Sequence, residues 1–254
     1  MLFSLFQNSR KYLLITLLLY FGNSYAFNVG TYNSPPFSMY EDGEEIGLAT
    51  EAVQTLLHKA KIKDYSILNY PLARGLEELQ SGRVDLYYPY VTKFNDDTTT
   101  NYILIGPISK YEIALFVRKD YTKEVSLAAM HNLLIGAERG SIGDSLLQTH
   151  NMHIEYATQK LSCLRMILAE RIIACAMGVL PGMYVAAINN YYDELRYVKI
   201  GVHADIYVAL SPGLDAETVA KIKLAFKQLK AKNYFEEQQH AYEKKFALFI
   251  KSLS

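Results

Sequence analysis

The chain of 254 residues has no tryptophan, only two cysteines and equal numbers of basic and acidic side chains, 26 of each. Balanced charge removes the long-range field that draws proteins to nucleic acid or anionic membranes. No basic stripe replaces it, so no nucleic-acid partner is expected. Two cysteines cannot build the multi-bridge framework of a small secreted scaffold. They make no zinc site either: the six histidines are scattered, and the closest pair, His150 and His153, reads as solvated. There is no G-x-S-x-G elbow and no phosphate loop, so no catalytic residue, metal or cofactor is assigned. Long apolar runs are missing as well. The clearest run, 12–21 (YLLITLLLYF), is about half the ~20 residues a membrane-spanning helix needs.

That short run has a setting of its own. Arg10 and Lys11 precede it, and Ser24-Tyr25-Ala26 follows with small residues at a cleavage position. Residues 1–26 therefore read as a cleaved export signal that places the remaining chain in the periplasm. An oxidising compartment permits a disulfide. Cys163 and Cys175, however, lie in apolar segments (LSCLRMIL and IIACAM), where cysteine packs as a small hydrophobe. A helix and the strand it covers usually hold their Cα atoms beyond bridging reach, so two free thiols are expected.

What the sequence does have is tyrosine, 21 copies, suited either to a core or to the walls of a wet cleft. It also has a regular alternation of patterns. Phe27 to Tyr32 reads as a strand stopped by Pro35-Pro36, with a turn at Glu41-Asp42-Gly43. Leu48, Ala52, Val53, Leu56 and Leu57 recur at helical spacing between Gly47 and Ala60. A strand over 65–70, a helix opened by Pro71 and closed by Gly82, and a strand over 84–91 complete a first α/β unit. Strands at 102–107 and 112–117 lead to a second unit: strand 132–137, helix from Gly140-Ser141 to about Gln148, strand 154–157, helix 161–168 and strand 172–177. Strands at 197–200 and 206–210 and helices over 216–230 and from 234 to about 242 close the chain. The fold class is α/β with largely parallel sheets.

Several short segments, in order, resemble the bacterial extracellular solute-binding proteins of family 3, the polar amino-acid-binding type. They are Val29-Gly30 with Pro35-Pro36-Phe37, Gly47 to Glu51 (GLATE), Tyr70 to Arg74 (YPLAR), Leu79 to Asp85 (LQSGRVD), Ile135-Gly136 with Arg139-Gly140-Ser141, and the closing helix after Leu229-Lys230. The resemblance implies the type II periplasmic-binding-protein fold, two lobes joined by two hinge strands with the ligand between them. Lobe one is expected over 27–115 plus 206–254, and lobe two over 116–205. It also implies a monomer that serves an inner-membrane transporter or sensor.

The ligand-binding residues expected on this basis are Tyr32, Phe37, Arg74, Tyr88, Tyr90, Thr92, Arg139, Gly140 and Ser141. The tyrosines and Phe37 supply aromatic walls or core packing. Arg74 either forks a carboxylate or sits on a solvated face. Gly140 and Ser141 enter a helix, where backbone N–H groups can hold an anion and Ser141 can equally be a plain cap. Two departures stand out. The segment Thr92 to Asp96 (TKFND) lacks the arginine with which amino-acid binders of the family grip the α-carboxylate. Around Arg171, Glu170 replaces the Gly and Ile173 the Asp of the Gly-Arg-Val-Asp pattern, leaving no aspartate for the α-amino group. A carboxylate-bearing or amino-acid-like ligand is expected, without catalysis. The alternatives are a sensor or interaction module of the same fold, or a periplasmic dehydratase, for which Glu138, Asp144 and Glu170 are the carboxylates in reach, each expected as solvated.

Overall fold

The structure, a computed structural model, describes residues 26–91 and 101–253, with the backbone alone for 250–253. The expected export signal, Ala26 apart, and Thr92 lie outside the described residues.

The first unit runs β1 (Phe27–Thr31), β2 (Met39–Glu41), β3 (Glu44–Ile46), α1 (Leu48–Lys59), β4 (Tyr65–Asn69), α2 (Leu72–Gln80) and β5 (Leu86–Val91). The β2–β3 hairpin turns at Asp42 and Gly43, both at positive φ. The apolar stripe of α1 is buried from Leu48 to Leu57 as its spacing predicts. Pro71 directly precedes α2, where its fixed φ suits a helix start.

A long strand, β6 (Ile103–Arg118), leads into the second unit: β7 (Leu134–Glu138), α3 (Ile142–Thr149), β8 (His153–Ala157), α4 (Lys160–Leu168) and β9 (Ala174–Gly178). Then come α5 (Val179–Ile188), a second long strand β10 (Leu195–Leu210), α6 (Ala216–Lys230) and α7 (Tyr234–Leu253). Each of the two long strands was expected as two short ones.

The sheet order is β4-β1-β5-β10-β6-β9-β7-β8. The two units are built alike. In each, the first strand is central and parallel to its two neighbours, β1 between β4 and β5, and β7 between β8 and β9. The antiparallel pair β6 and β10 joins them. Residues 206–210 of β10 pair with β5, whereas 113–117 of β6 pair with β9. The β6–β10 ladder slips between Lys199 and Val202, where Gly201 takes a positive φ. Parallel strands present their carboxyl ends on one side, where α/β sheets bind ligands. Here the carboxyl ends of both units border one cleft.

The core follows the same division. Helices α1 and α6 bury Val53, Leu56, Leu57, Ile222 and Leu229 against one half of the sheet, while Phe116, Leu164, Ile167 and Met177 fill the other. Helix α7 packs on both. Gln239 Oε1 accepts hydrogen bonds from Ser109 Oγ and the Lys110 N–H on β6, and Phe246 and Phe249 stack on Tyr184 of α5.

Cys163 and Cys175 are bridged, contrary to the expected free thiols. The physical reason is Gly136. A Cβ there would lie 2.6 Å from Cys163 Sγ, so the bare backbone of β7 lets α4 settle close to the sheet. The two half-cystine Cα atoms come to 6.1 Å, inside the usual bridging range.

Candidate functional site

A cavity of about 350 Å³ opens between the two units. From the first come Tyr32 after β1, Leu72, Ala73 and Leu76 on α2, Tyr90 and Val91 at the end of β5, and Tyr102 just before β6. From the second come Glu138 at the end of β7, Arg139 to Ile142 leading into α3, and Lys160 at the first position of α4. Tyr111, midway along β6, forms the floor. Such a volume suits a small molecule, with mostly apolar walls and few polar groups to fix its orientation.

Of the nine residues singled out from sequence, the structure brings five together on this wall: Tyr32, Tyr90, Arg139, Gly140 and Ser141. Phe37 and Tyr88 belong to the core instead. Phe37 is fully buried and stacks on Tyr111 at 5.6 Å, so it supports the floor from beneath. Tyr88 is fully buried and donates its hydroxyl proton to Thr50 Oγ1 at 3.2 Å. Arg74 lies on the outer face of α2, its guanidinium paired with Glu78 one turn on, and does not line the cavity. Glu78 is shared with Arg83. Its carboxyl is held below the ordinary range chiefly by the Arg83 hydrogen bond, with Arg74 adding to it against burial.

The turn into α3 is a closed capping arrangement. Ser141 Oγ accepts from the Asp144 N–H at 3.2 Å, and Asp144 Oδ2 accepts from the Gly140 N–H at 2.8 Å. The Ser141 N–H donates to the Glu138 carbonyl at 3.0 Å. The anion-holding donors expected at Gly140 and Ser141 are thus satisfied by the chain itself, the buried Asp144 serving as the anion. Asp144 is therefore not the solvated carboxylate that was expected. Glu170 is: it is exposed and pairs with Arg118, away from the cavity.

The residues that sequence reasoning missed or underrated are Lys160, Tyr111 and Glu138. Lys160 is 9% exposed, and Nζ donates to Glu138 Oε2 at 2.9 Å. Burial by itself lowers its pKa, but the Glu138 carboxylate beside it acts in the opposite sense and the net direction is upward, above the ordinary lysine value. Lys160 is accordingly a fixed cation across the neutral range. Burial pushes the Tyr111 phenol up to about 12, opposed by Lys160, so the floor stays neutral. The Arg139 guanidinium stacks on the Tyr156 ring at 3.9 Å, a cation–π contact at the cavity rim. Tyr90 and Tyr102 meet edge to face at 5.9 Å, and Tyr32 stacks on Tyr87. The available signal was position: each missed group sits at a strand's carboxyl end, at the helix start that follows one, or on the strand crossing between units.

No protein-family model and no curated protein matches the sequence. Solved structures do share the fold. A histidine kinase sensor domain with similarity to periplasmic binding proteins aligns with a TM-score of 0.74 at 18% identity, over 85% of this chain and 95% of that one. The ligand-binding core of GluR0, solved with L-glutamate, aligns at 0.75 and 14%, over 87% and 99%. The substrate-binding protein of an amino acid ABC transporter aligns at 0.69 and 16%, over 84% and 96%. At these identities the likeness establishes the fold: two lobes of the periplasmic-binding-protein type with a cleft between them.

Proposed function

We propose that the chain is a solute-binding protein that captures a small carboxylate-bearing or amino-acid-like molecule in the cleft and closes its lobes upon it. The observation that carries this reading is the cavity itself, set between the carboxyl ends of two matching α/β units and walled by tyrosines around two cations. The lobes are taken as 27–115 with 206–254, and 116–205. Strands β6 and β10 are then the two crossings, with the slip near Gly201 as a place for hinge motion. Closure would shift an open–closed population and signal occupancy to a membrane transporter or sensor. A periplasmic monomer that delivers ligand, rather than transforms it, is the reading these features support.

A thermal-shift screen of the purified protein against amino acids, amines, organic acids and small sugars tests it. A ligand present at ~100 times its dissociation constant stabilises the folded state by about 2.7 kcal/mol. At least one such hit is expected. No shift across the panel would remove the solute-binding reading.

A further inference from the structure

The charge inventory of the cleft narrows the ligand, granted the solute-binding reading above. Lys160 occupies the first position of α4, the positive end of the helix dipole, where a cation is disfavoured. It is nearly buried there as well. Its ammonium has three donors, and Glu138 accepts one of them at 2.9 Å. The Glu138 carboxylate is its one ionic partner among the described residues. Arg139 is a second cation on the same wall, stacked on Tyr156 and without an ion pair among the described residues.

Against these two cations the described wall offers one carboxylate, Glu138, already committed to Lys160. Strand β9, Ala174 to Gly178, is buried throughout, ends against Tyr111 of the cavity wall and has no acid in it. The space beside Gly178 is filled by the Tyr111 ring, so nothing larger than glycine fits there without moving that ring. Among the described residues the site therefore carries surplus positive charge, with no unengaged carboxylate to receive an ammonium.

We infer that the cleft selects a small monocarboxylate with a flat, apolar body and no ammonium group, held at its carboxylate by Lys160 and Arg139 and along its body by Tyr32, Tyr90 and Tyr102. An α-amino acid would have to place its ammonium against Glu138, beside Lys160, so that two cations share one carboxylate in a partly dry cleft. Burying like charges together disfavours binding. Removing the amino group relieves the conflict and leaves the carboxylate contacts intact. Lysine and arginine together suit this: the first is a compact point charge, the second a planar fork.

The experiment is calorimetric titration of the full-length protein with 3-phenylpropionate, L-phenylalanine and 2-phenylethylamine, which share one body and differ in charge. The expected order is 3-phenylpropionate first, phenylalanine weaker by about tenfold or more, about 1.4 kcal/mol, and no binding of the amine. Phenylalanine binding as tightly as its deaminated analogue would overturn the inference and leave the solute-binding reading standing. So would silence from 3-phenylpropionate, benzoate and 4-hydroxyphenylacetate while another solute of the broad panel binds. Silence from the whole panel strikes the solute-binding reading itself. Because Lys160→Gln alone strands Glu138, the double change Lys160→Gln with Glu138→Gln keeps a neutral hydrogen-bonded pair in place. This variant is expected to unfold within a few degrees of the parent and to lose at least about tenfold in 3-phenylpropionate affinity. A folded double variant with undiminished affinity would remove Lys160 from the grip.

Discussion

The bridge between Cys163 and Cys175 joins α4 to β9 across a sequence separation of 12, and both half-cystines are fully buried. Reduction removes no heavy atom and asks the two sulfur atoms only to move apart to van der Waals distance, so the main effect is expected on the unfolded chain. A cross-link over about 12 residues removes loop-closure entropy from that chain worth about 2.8 kcal/mol at 25 °C. For a chain of this size that corresponds to a fall in Tm of roughly 6–11 °C on reduction. The assay is urea unfolding of oxidised and reduced protein, followed by far-UV circular dichroism and by tyrosine fluorescence, which no tryptophan obscures. The oxidised form should show the higher midpoint and a slightly lower m-value, because its unfolded state is more compact. The Cys163→Ala/Cys175→Ala variant should lose more than simple reduction does, since it also empties volume beneath Gly136. Coincident midpoints for the oxidised and reduced forms would refute the reasoning and mean that the unfolded chain gains nothing from losing the link.

Three further outcomes follow from the geometry. Arg74→Ala should leave ligand affinity within about twofold and cost under 1 kcal/mol, because Arg74 is a half-exposed ion-pair partner of Glu78; a large loss of affinity in titration would return Arg74 to the cleft. Gly178→Ala drives a methyl group into the Tyr111 ring and should weaken ligand binding more than it lowers Tm, as overpacking there is relieved towards the open cavity; an unchanged affinity would show that the floor does not shape the site. Asp85, whose pKa is raised by burial against the Asn28 N–H that it accepts, is costly to ionise in the folded state. Its contribution to stability is lost as pH rises through that raised pKa, so Asp85→Asn should raise Tm at neutral pH, and the gain should fade on acidification towards the ordinary carboxylate value of 3.8; a gain that persists in acid would refute the assignment.

Much of the fold is legible because helical and strand periodicities differ. The expected bounds of α6, 216–230, coincide with the observed helix, where Asp215 supplies the cap by accepting the Thr218 N–H. Helix α5 was not anticipated, and its sequence shows why. VLPGMYVAAI is apolar all round, so it has no amphipathic period, and it carries both Pro and Gly. Each long strand looks like two short ones in sequence because Gly106-Pro107 within β6 and Gly201 within β10 break the strand pattern, although both strands continue through them. At the site, tyrosines at strand ends could be found, but Tyr87 and Tyr88 are both fully buried because β5 is covered on both faces. Alternation along such a strand cannot tell wall from core. Lys160 was invisible for a different reason. Its ion-pair partner Glu138 lies 22 residues earlier, and Tyr111, which lines the same cavity, lies on a strand shared by both units.

The departure at Ile173 deserves a different meaning from the one its pattern suggests. In the first unit, Gly82 adopts positive φ, the Arg83 N–H returns to the Glu78 carbonyl, and the Asp85 N–H donates to Asn28. In the second unit, Glu170 adopts positive φ, the Arg171 N–H returns to the Met166 carbonyl, and the Ile173 N–H donates to Leu134. The backbone device is the same although the Gly and the Asp are gone. Asp85 itself never reaches the cavity: its carboxylate accepts the Asn28 N–H, and its carbonyl accepts the Ser211 N–H. An aspartate at this point of the motif anchors neighbouring backbone, so its replacement by Ile173 carries no information about a ligand's amino group. That information resides a few residues on, at the carboxyl end of β9, where Gly178 lies against the Tyr111 ring and the strand carries no acid. The chemistry of a cleft is decided where strands end, and the motifs that announce a fold lie mostly where strands begin.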